Sequence, residues 1–417
     1  MLARECHNYN VYSGRTLLDR LFRLYVLSCL YSPFFASLVP FPGLNLFDDL
    51  IFFAMIPICF VHIAIGFHRI NLLVLAFPAY IALSSIISFF SGEDLLVLLL
   101  SLKNIKNLFL FVVLICLHED HTDFVKRNVV FILYASVPVA VFQFLTVEHQ
   151  DDITGLFGPK STSLYSFLVT VYISAYAAVN GIDKVKWSWL LFIPVFLNET
   201  KITFLLFPLT LFLLFSLAGK IKLYHFVAFY LVGFLALILL DDIYFSLYGY
   251  AFSDIFTYEY LDSYLFDYTE LHKDVPRFYR IYAAYDYLQN SNSFQYLFGH
   301  GLGAEYVGDQ GGRLGSVAKE FEYTLLNQGT RIQIFQLLLD YGVLGTILFV
   351  GLLIVCFFSL CLRVKTFEIL FAIALVFIMT FSLVYQNMFF TKQLSFLLFY
   401  FVYMALMGKF NDNREVI

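Results

Sequence analysis

The chain has 417 residues, of which 60% are hydrophobic, 20% aromatic and 14% charged, with a formal net charge of −5. Soluble domains carry about a quarter charged residues, so this composition excludes an ordinary water-soluble globule, and no nucleic-acid partner is expected. Repeated apolar runs of about 20 residues predict an all-α, multi-span membrane protein.

Apolar spans are predicted near 21–39, 47–67, 70–90, 95–117, 128–147, 161–180, 187–199, 202–218, 223–240, 332–361, 367–386 and 393–409. That is about 12 transmembrane helices, the weakest being the short 187–199. Cys29, Cys59, Cys116, Cys356 and Cys361 fall inside these runs and Cys6 precedes them, a distribution that forms neither a disulfide framework nor a zinc spacing. The N-terminus lacks a small-residue cleavage site after a short apolar core, so no removed signal peptide is expected.

Cationic residues set the orientation. Arg4, Arg15, Arg20, Arg23, Arg69, Lys126, Arg127, Lys184, Lys186, Lys220, Lys222, Arg363, Lys365, Lys409 and Arg414 fall on the side of the N-terminus. The short loops opposite hold only Lys160, Lys201 and Lys392. Both termini are therefore expected in the cytoplasm. The expected organisation is 1–240 with helices 1–9, a large outer loop 241–331 with amphipathic helices, and 332–417 with helices 10–12. A loop of that length is no mere linker.

Charge in or against a membrane is costly and usually has a role. In "SLKNIKNLF" (101–109), Lys103, Lys106 and Asn107 share one helical face. Lys103 lies inside its span and should face a partner in the bundle; a structural salt bridge and an anion site both fit. "GLFGPKST" (155–162) reads as a tight turn before a helix N-terminus, a place that favours anions, or as a plain loop. In "NETKITFLLFPL" (198–209), Lys201 at the outer end of a span either snorkels or binds an anion.

The long loop holds "DVPRFYRIYAAYDYL" (274–288). Pro276 suits a first helical turn and Asp274 a cap. Phe278, Ile281, Tyr282, Tyr285 and Leu288 then form a stripe at helical spacing, with Arg277 and Arg280 flanking it. Two guanidinium forks side by side fit a phosphate clamp. They also fit interfacial arginines on ordinary lipid headgroups, or partners of Asp274 and Asp286. "LFGHGLGAEY" (297–306) lacks the strand–turn–helix setting of a dinucleotide loop and reads as a compact turn with His300 at its tip. His300 is a candidate acid or base. In "KEFEYTLLNQGTRIQIFQLLLDYGVLGTILF" (319–349), Glu320, Glu322 and Arg331 precede the tenth span. A carboxylate there is a candidate general base or part of a solvated loop end. Asp340 within the apolar helix is harder to dismiss.

Taken in order, "GLFGPKSTSLYSFL", "LNETKITFLLFPLTLFLL", "RFYRIYAAYDYL…YLFGHGLGAEY" and "QLLLDYGVLGTILF" make the chain resemble the O-antigen polymerases of the Wzy type, within a wider group that includes O-antigen ligases. Asp340, Gly342 and Gly345 stand where that group has its "LxExGxxG" helix start. The resemblance implies polymerisation of undecaprenyl-pyrophosphate-linked oligosaccharide units at the periplasmic face of the bacterial inner membrane. It implies no cofactor, metal or nucleotide sugar. The implied partners are lipid-linked donor and acceptor, membrane lipids and a chain-length regulator protein.

By position, Arg277, Arg280, Lys201, Arg331 and Lys103 become the pyrophosphate-binding set. Glu322, Glu320 and His300, in that order, become candidates for the proton-accepting catalytic group. Arg331 falls where the ligases often carry a histidine, a departure that leaves the base open and argues mildly against a ligase. Two other functions compete: the ligase, and a flippase for the lipid-linked unit. A flippase usually has short loops and half-to-half symmetry, unlike the nine-plus-three division here.

Overall fold

A computed structural model describes residues 2–38, 46–65, 72–146, 153–158, 162–197, 202–220, 277–306, 314–320, 332–385 and 391–410, with single positions between 227 and 262. At 2–15, 277 and 320, among others, the backbone alone is described. The predicted ninth span therefore lies outside the described residues except at single positions, as does most of 241–276.

Among the described residues the chain is almost wholly helical and forms no strand. Its helices are α1 (Leu2–Leu38), α2 (Phe47–Ile65), α3 (Leu72–Phe90), α4 (Leu95–Asn104), α5 (Leu110–Cys116), α6 (Thr122–Thr146), α7 (Thr162–Asn180), α8 (Ile193–Leu197), α9 (Ile202–Leu217), α10 (Arg277–Asn290), α11 (Ser293–Phe298), α12 (Ser316–Glu320), α13 (Gln333–Cys361), α14 (Phe367–Tyr385) and α15 (Lys392–Leu406). Short 3-10 segments fill Lys106–Phe109, Gly155–Phe157 and Ile182–Phe192.

Four described helices are long and apolar enough to cross a membrane: Thr122–Thr146, Ser163–Asn180, Gln333–Cys361 and Phe367–Tyr385. The pair Leu95–Asn104 and Lys106–Cys116 makes a fifth if its two arms are one span. With the shorter apolar helices Pro78–Phe90, Ile202–Leu217 and Lys392–Leu406, the architecture is that of a helical, membrane-embedded protein. At 1.5 Å per residue, the 19 residues of α14 extend about 28 Å, close to a hydrocarbon core of roughly 30 Å. Prolines inside α1, α2, α3, α6 and α9 suit such a bundle, where neighbouring helices re-satisfy the backbone groups that proline frees.

One large hydrophobic core joins α1, α2, α5, α6, α7, α9, α14 and α15. Within it α7 packs on α9 and α14, α1 on α2, and α5 on α15. A second, smaller core consists of Ala284 and Leu288 of α10, Ala304, Val317, Ala318, and Ile332, Phe335, Leu338 and Leu339 leading into α13. The segment after residue 276 thus folds against the start of α13.

Three spans depart from the uninterrupted helices expected of them. The span 95–117 bends by 65° between Asn104 and Lys106, and 187–199 is a 3-10 segment that becomes a short α-helix only at Ile193. The third, α13, breaks at Gly342, whose φ of 66° and ψ of −171° are non-helical. Of its 29 residues, the 19 after Gly342 are enough to cross the membrane alone; before it, Phe335, Leu338 and Leu339 belong to the smaller core and Leu337 and Tyr341 to the larger.

Candidate functional site

The bend at residue 105 carries charge into the bundle. Lys106 is 3% exposed, and its Nζ donates to both Asp48 and Asp49 at the start of α2. Lys103, one turn earlier, lies 3.2 Å from the second oxygen of Asp49. Lys392, opening α15, donates to the second oxygen of Asp48 at 2.7 Å. The result is an alternating row: Lys392, Asp48, Lys106, Asp49, Lys103. Three lysines against two aspartates leave this row one positive charge in excess.

Position in the row decides access. The side chains of Lys103 and Lys392 are 22% and 25% exposed, while Asp48 is fully buried and Asp49 is 7% exposed. The interior members hold the two end lysines in place, and the end lysines meet the outside. Asn107 fixes the bend itself. Its amide donates to Ser395 Oγ at 2.7 Å and to the Lys392 carbonyl at 3.3 Å, and accepts the Tyr25 hydroxyl. Tyr403 donates to the Leu108 carbonyl at 2.8 Å. A broken span is tolerated in a membrane only where its backbone is satisfied in this way by protein, and breaks of this kind place donors and charges where ligands bind.

The break in α13 is built differently. The carbonyls of Leu339 and Asp340 accept the backbone N–H groups of His300 and Gly301, each at 3.0 Å. The Tyr341 carbonyl accepts the Tyr80 hydroxyl at 2.7 Å, and Ser88 donates to the Leu302 carbonyl at 2.8 Å. The glycine turn 299–303 therefore serves as the missing continuation of the helix and ties it to α3. Asp340 is fully buried and accepts the Glu305 N–H at 3.1 Å and the Gln336 amide at 3.4 Å. Glu305, 1% exposed, brings a second carboxylate beside it.

Of the residues predicted from sequence, Lys103 joins the charged row, with the buried partner expected of it. Arg280 is 3% exposed and lines up with Ala284 and Leu288 on the buried face of α10. The expected stripe divides, with Leu288 buried and Ile281 packed against the same small core. Phe278, Tyr282 and Tyr285 are 38%, 66% and 39% exposed, so the aromatic face turns outward and the arginine inward. The reason is packing: α10 lies close against α13 through the small Ala284, a contact that tyrosines would hold apart. Arg277 begins α10 and Glu320 ends α12, their side chains outside the described residues. Lys201, Glu322 and Arg331 also lie outside the described residues. His300 is half-buried, its ring 5.2 Å from that of Tyr287 and its Nε2 3.4 Å from Ser291 Oγ. The structure does not bring His300 and Lys103 together through any contact among the described residues.

Sequence reasoning missed Asp48, Asp49 and Glu305, used Lys392 only for orientation, and left Lys106 out of the binding set. The one local signal was the acidic pair in "FDDLIFF", which reads by itself as a helix start.

No family model matches this chain, and no characterised protein matches it either. What the site can do rests on its own chemistry: three ammonium groups fixed by two buried carboxylates, with the two end lysines partly exposed to any anion that reaches them.

Proposed function

We propose that this protein is a lipid-linked oligosaccharide polymerase of the bacterial inner membrane, with twelve spans, both termini in the cytoplasm and its site on the periplasmic side. One observation carries the reading: the buried row that begins and ends in lysine, with an excess positive charge, in which Asp48, Asp49 and Lys392 stand at span ends that the cationic-loop pattern puts outside. The family resemblance of the sequence motifs supports it.

In this reading the acceptor hydroxyl of one lipid-linked unit attacks the anomeric carbon of the growing chain. The bond from that carbon to the pyrophosphate oxygen breaks, and undecaprenyl pyrophosphate leaves with the electron pair. The acceptor proton passes to a base, for which Glu322, Glu320 and His300 are the candidates. Lys103 and Lys392 stabilise the charge that grows on the leaving pyrophosphate, joined by Arg277, Arg280, Lys201 and Arg331. Lys106, Asp48 and Asp49 are positioning residues.

A second reading has its own observation. Charges buried within broken spans also mark transporters, which favours a flippase for the same lipid-linked unit over a ligase. Deletion of the gene separates the polymerase from the other two. A polymerase deletion leaves lipopolysaccharide cores capped by a single repeat unit; loss of a flippase or ligase leaves none capped. An undisturbed glycan ladder in the deletion strain removes the polymerase proposal.

A further inference from the structure

The outward face of α10 is not uniformly aromatic. Tyr279, Tyr282, Ala283, Asp286, Tyr287 and Asn290 enclose a cleft of about 250 Å³. The spacing explains the shape. These positions share one broad side of the helix, bordered along one edge by the buried row of Arg280, Ala284 and Leu288. Ala283 leaves a hollow between the larger side chains, and the tyrosines wall it.

The lining combines two kinds of surface. Tyrosine rings offer flat apolar faces with a hydroxyl at the rim. Asp286 offers a carboxylate, and Asn290, whose Nδ2 donates to the Asp286 carbonyl at 3.0 Å, keeps its amide oxygen as an acceptor. Acyl chains have no use for a carboxylate and an amide at the wall, and a phosphate would be repelled by Asp286. A pyranose ring uses both: its C–H face lies on an aromatic ring while hydroxyls at its edge donate to carboxylate and amide oxygens. The volume points the same way, since drug-sized ligands occupy roughly 300–1,000 Å³ and this cleft is smaller.

We infer that the Tyr279–Asn290 face of α10 is a carbohydrate subsite that holds a single neutral pyranose ring. Its centre is turned away from Ala284 and Leu288, while Ala283 and Tyr287, three and seven residues after Arg280, border that arginine. A glycan held there is kept beside the outer segment without occupying the cationic row. Its physiological ligand, a unit of the growing polymer, rests on the proposed polymerase reading; the binding chemistry does not.

The test is saturation-transfer NMR on the full chain in lipid nanodiscs. The probes are methyl α-D-glucopyranoside, methyl β-D-galactopyranoside and the methyl glycoside of N-acetyl-β-D-glucosamine. At least one glycoside is expected to show transfer to its ring protons. Its affinity should fall about fivefold in Asp286→Ala, the effect of losing one hydrogen bond, and transfer should be lost in Tyr282→Ala. Phe294→Ala, exposed on the neighbouring α11, should leave it unchanged. No transfer from any of the three probes overturns the inference, as does equal transfer in wild type, Tyr282→Ala and Asp286→Ala. Because no polymerisation is involved, glycoside binding with an undisturbed glycan ladder in the deletion strain sinks the enzyme and spares the subsite. An altered ladder with no glycoside binding does the reverse.

Discussion

Asp48 is the residue on which the charged row turns, because each of its oxygens takes one lysine. Replacing it with alanine removes one of the two carboxylates that hold the buried Lys106 and takes the same carboxylate from Lys392. Removing one partner of a buried pair costs about 3–5 kcal/mol, so Asp48→Ala should lower the unfolding midpoint of the purified protein sharply in a thermal melt in detergent. The pair Arg23–Glu119 gives the contrast. It is as close, at 2.5 Å, but both side chains are half exposed, and Arg23→Ala should cost less than about 1 kcal/mol. Lys103 differs from both. Being at the open end of the row, its replacement by methionine should leave the melt nearly unchanged. On the polymerase reading it should still shorten the glycan chains seen on gels; full-length polymer from Lys103→Met would remove that lysine from the site.

Gly299 and Gly342 meet backbone to backbone. A Cβ on Gly299 would lie 2.5 Å from the Asp340 carbonyl carbon, and one on Gly342 would lie 2.4 Å from the Gly299 nitrogen. Both glycines also have positive φ, 77° and 66°, where other residues are strained. Main-chain atoms cannot swing aside as a side-chain tip can, so Gly299→Ala and Gly342→Ala should each abolish or strongly reduce the amount of folded protein on size-exclusion chromatography. Gly351, in the same helix, has open space around it; Gly351→Ala should match wild type or gain up to about 1 kcal/mol from helix propensity. A second element-level joint lies between α6 and α7. Gln143 Oε1 accepts the N–H groups of Thr154 and Gly155 at 3.0 and 2.8 Å. Gln143→Leu should therefore speed amide exchange across 153–158 while leaving α7 protected, which hydrogen-exchange mass spectrometry would read directly.

At the scale of the whole molecule, orientation is the open quantity, and single cysteines in a cysteine-free background resolve it. Asp94→Cys should react with an impermeant maleimide in intact cells, and Arg363→Cys only after permeabilisation; the reverse pattern would overturn the assignment. The membrane-embedded helices were legible because hydrocarbon demands long apolar runs, and 332–361 and 367–386 match α13 and α14 closely. The breaks were less so. "DYGVLG" carries a visible glycine at the α13 break, but the bend at Ile105 has neither Gly nor Pro and depends on Asn107 reaching α1 and α15. The charged row was illegible for a related reason: Asp48 and Lys392 stand 344 residues apart, and no periodicity connects them. The face of α10 failed differently. Its stripe at helical spacing joined the exposed Phe278, Tyr282 and Tyr285 to the buried Leu288, because hydrophobic pattern alone cannot tell a side chain that packs from one that prevents packing. Small size, in Ala284, was the better guide.

The joint at Gly299 and Gly342 has a consequence for how the chain can vary. It is written in carbonyls, amide protons and two absent β-carbons, and hardly at all in side-chain chemistry. A library randomised across 297–303 and 339–345 should therefore return functional clones with many different neighbours, provided both glycines persist. Two such chains could share little readable sequence and still carry the same joint between the 299–303 turn and α13.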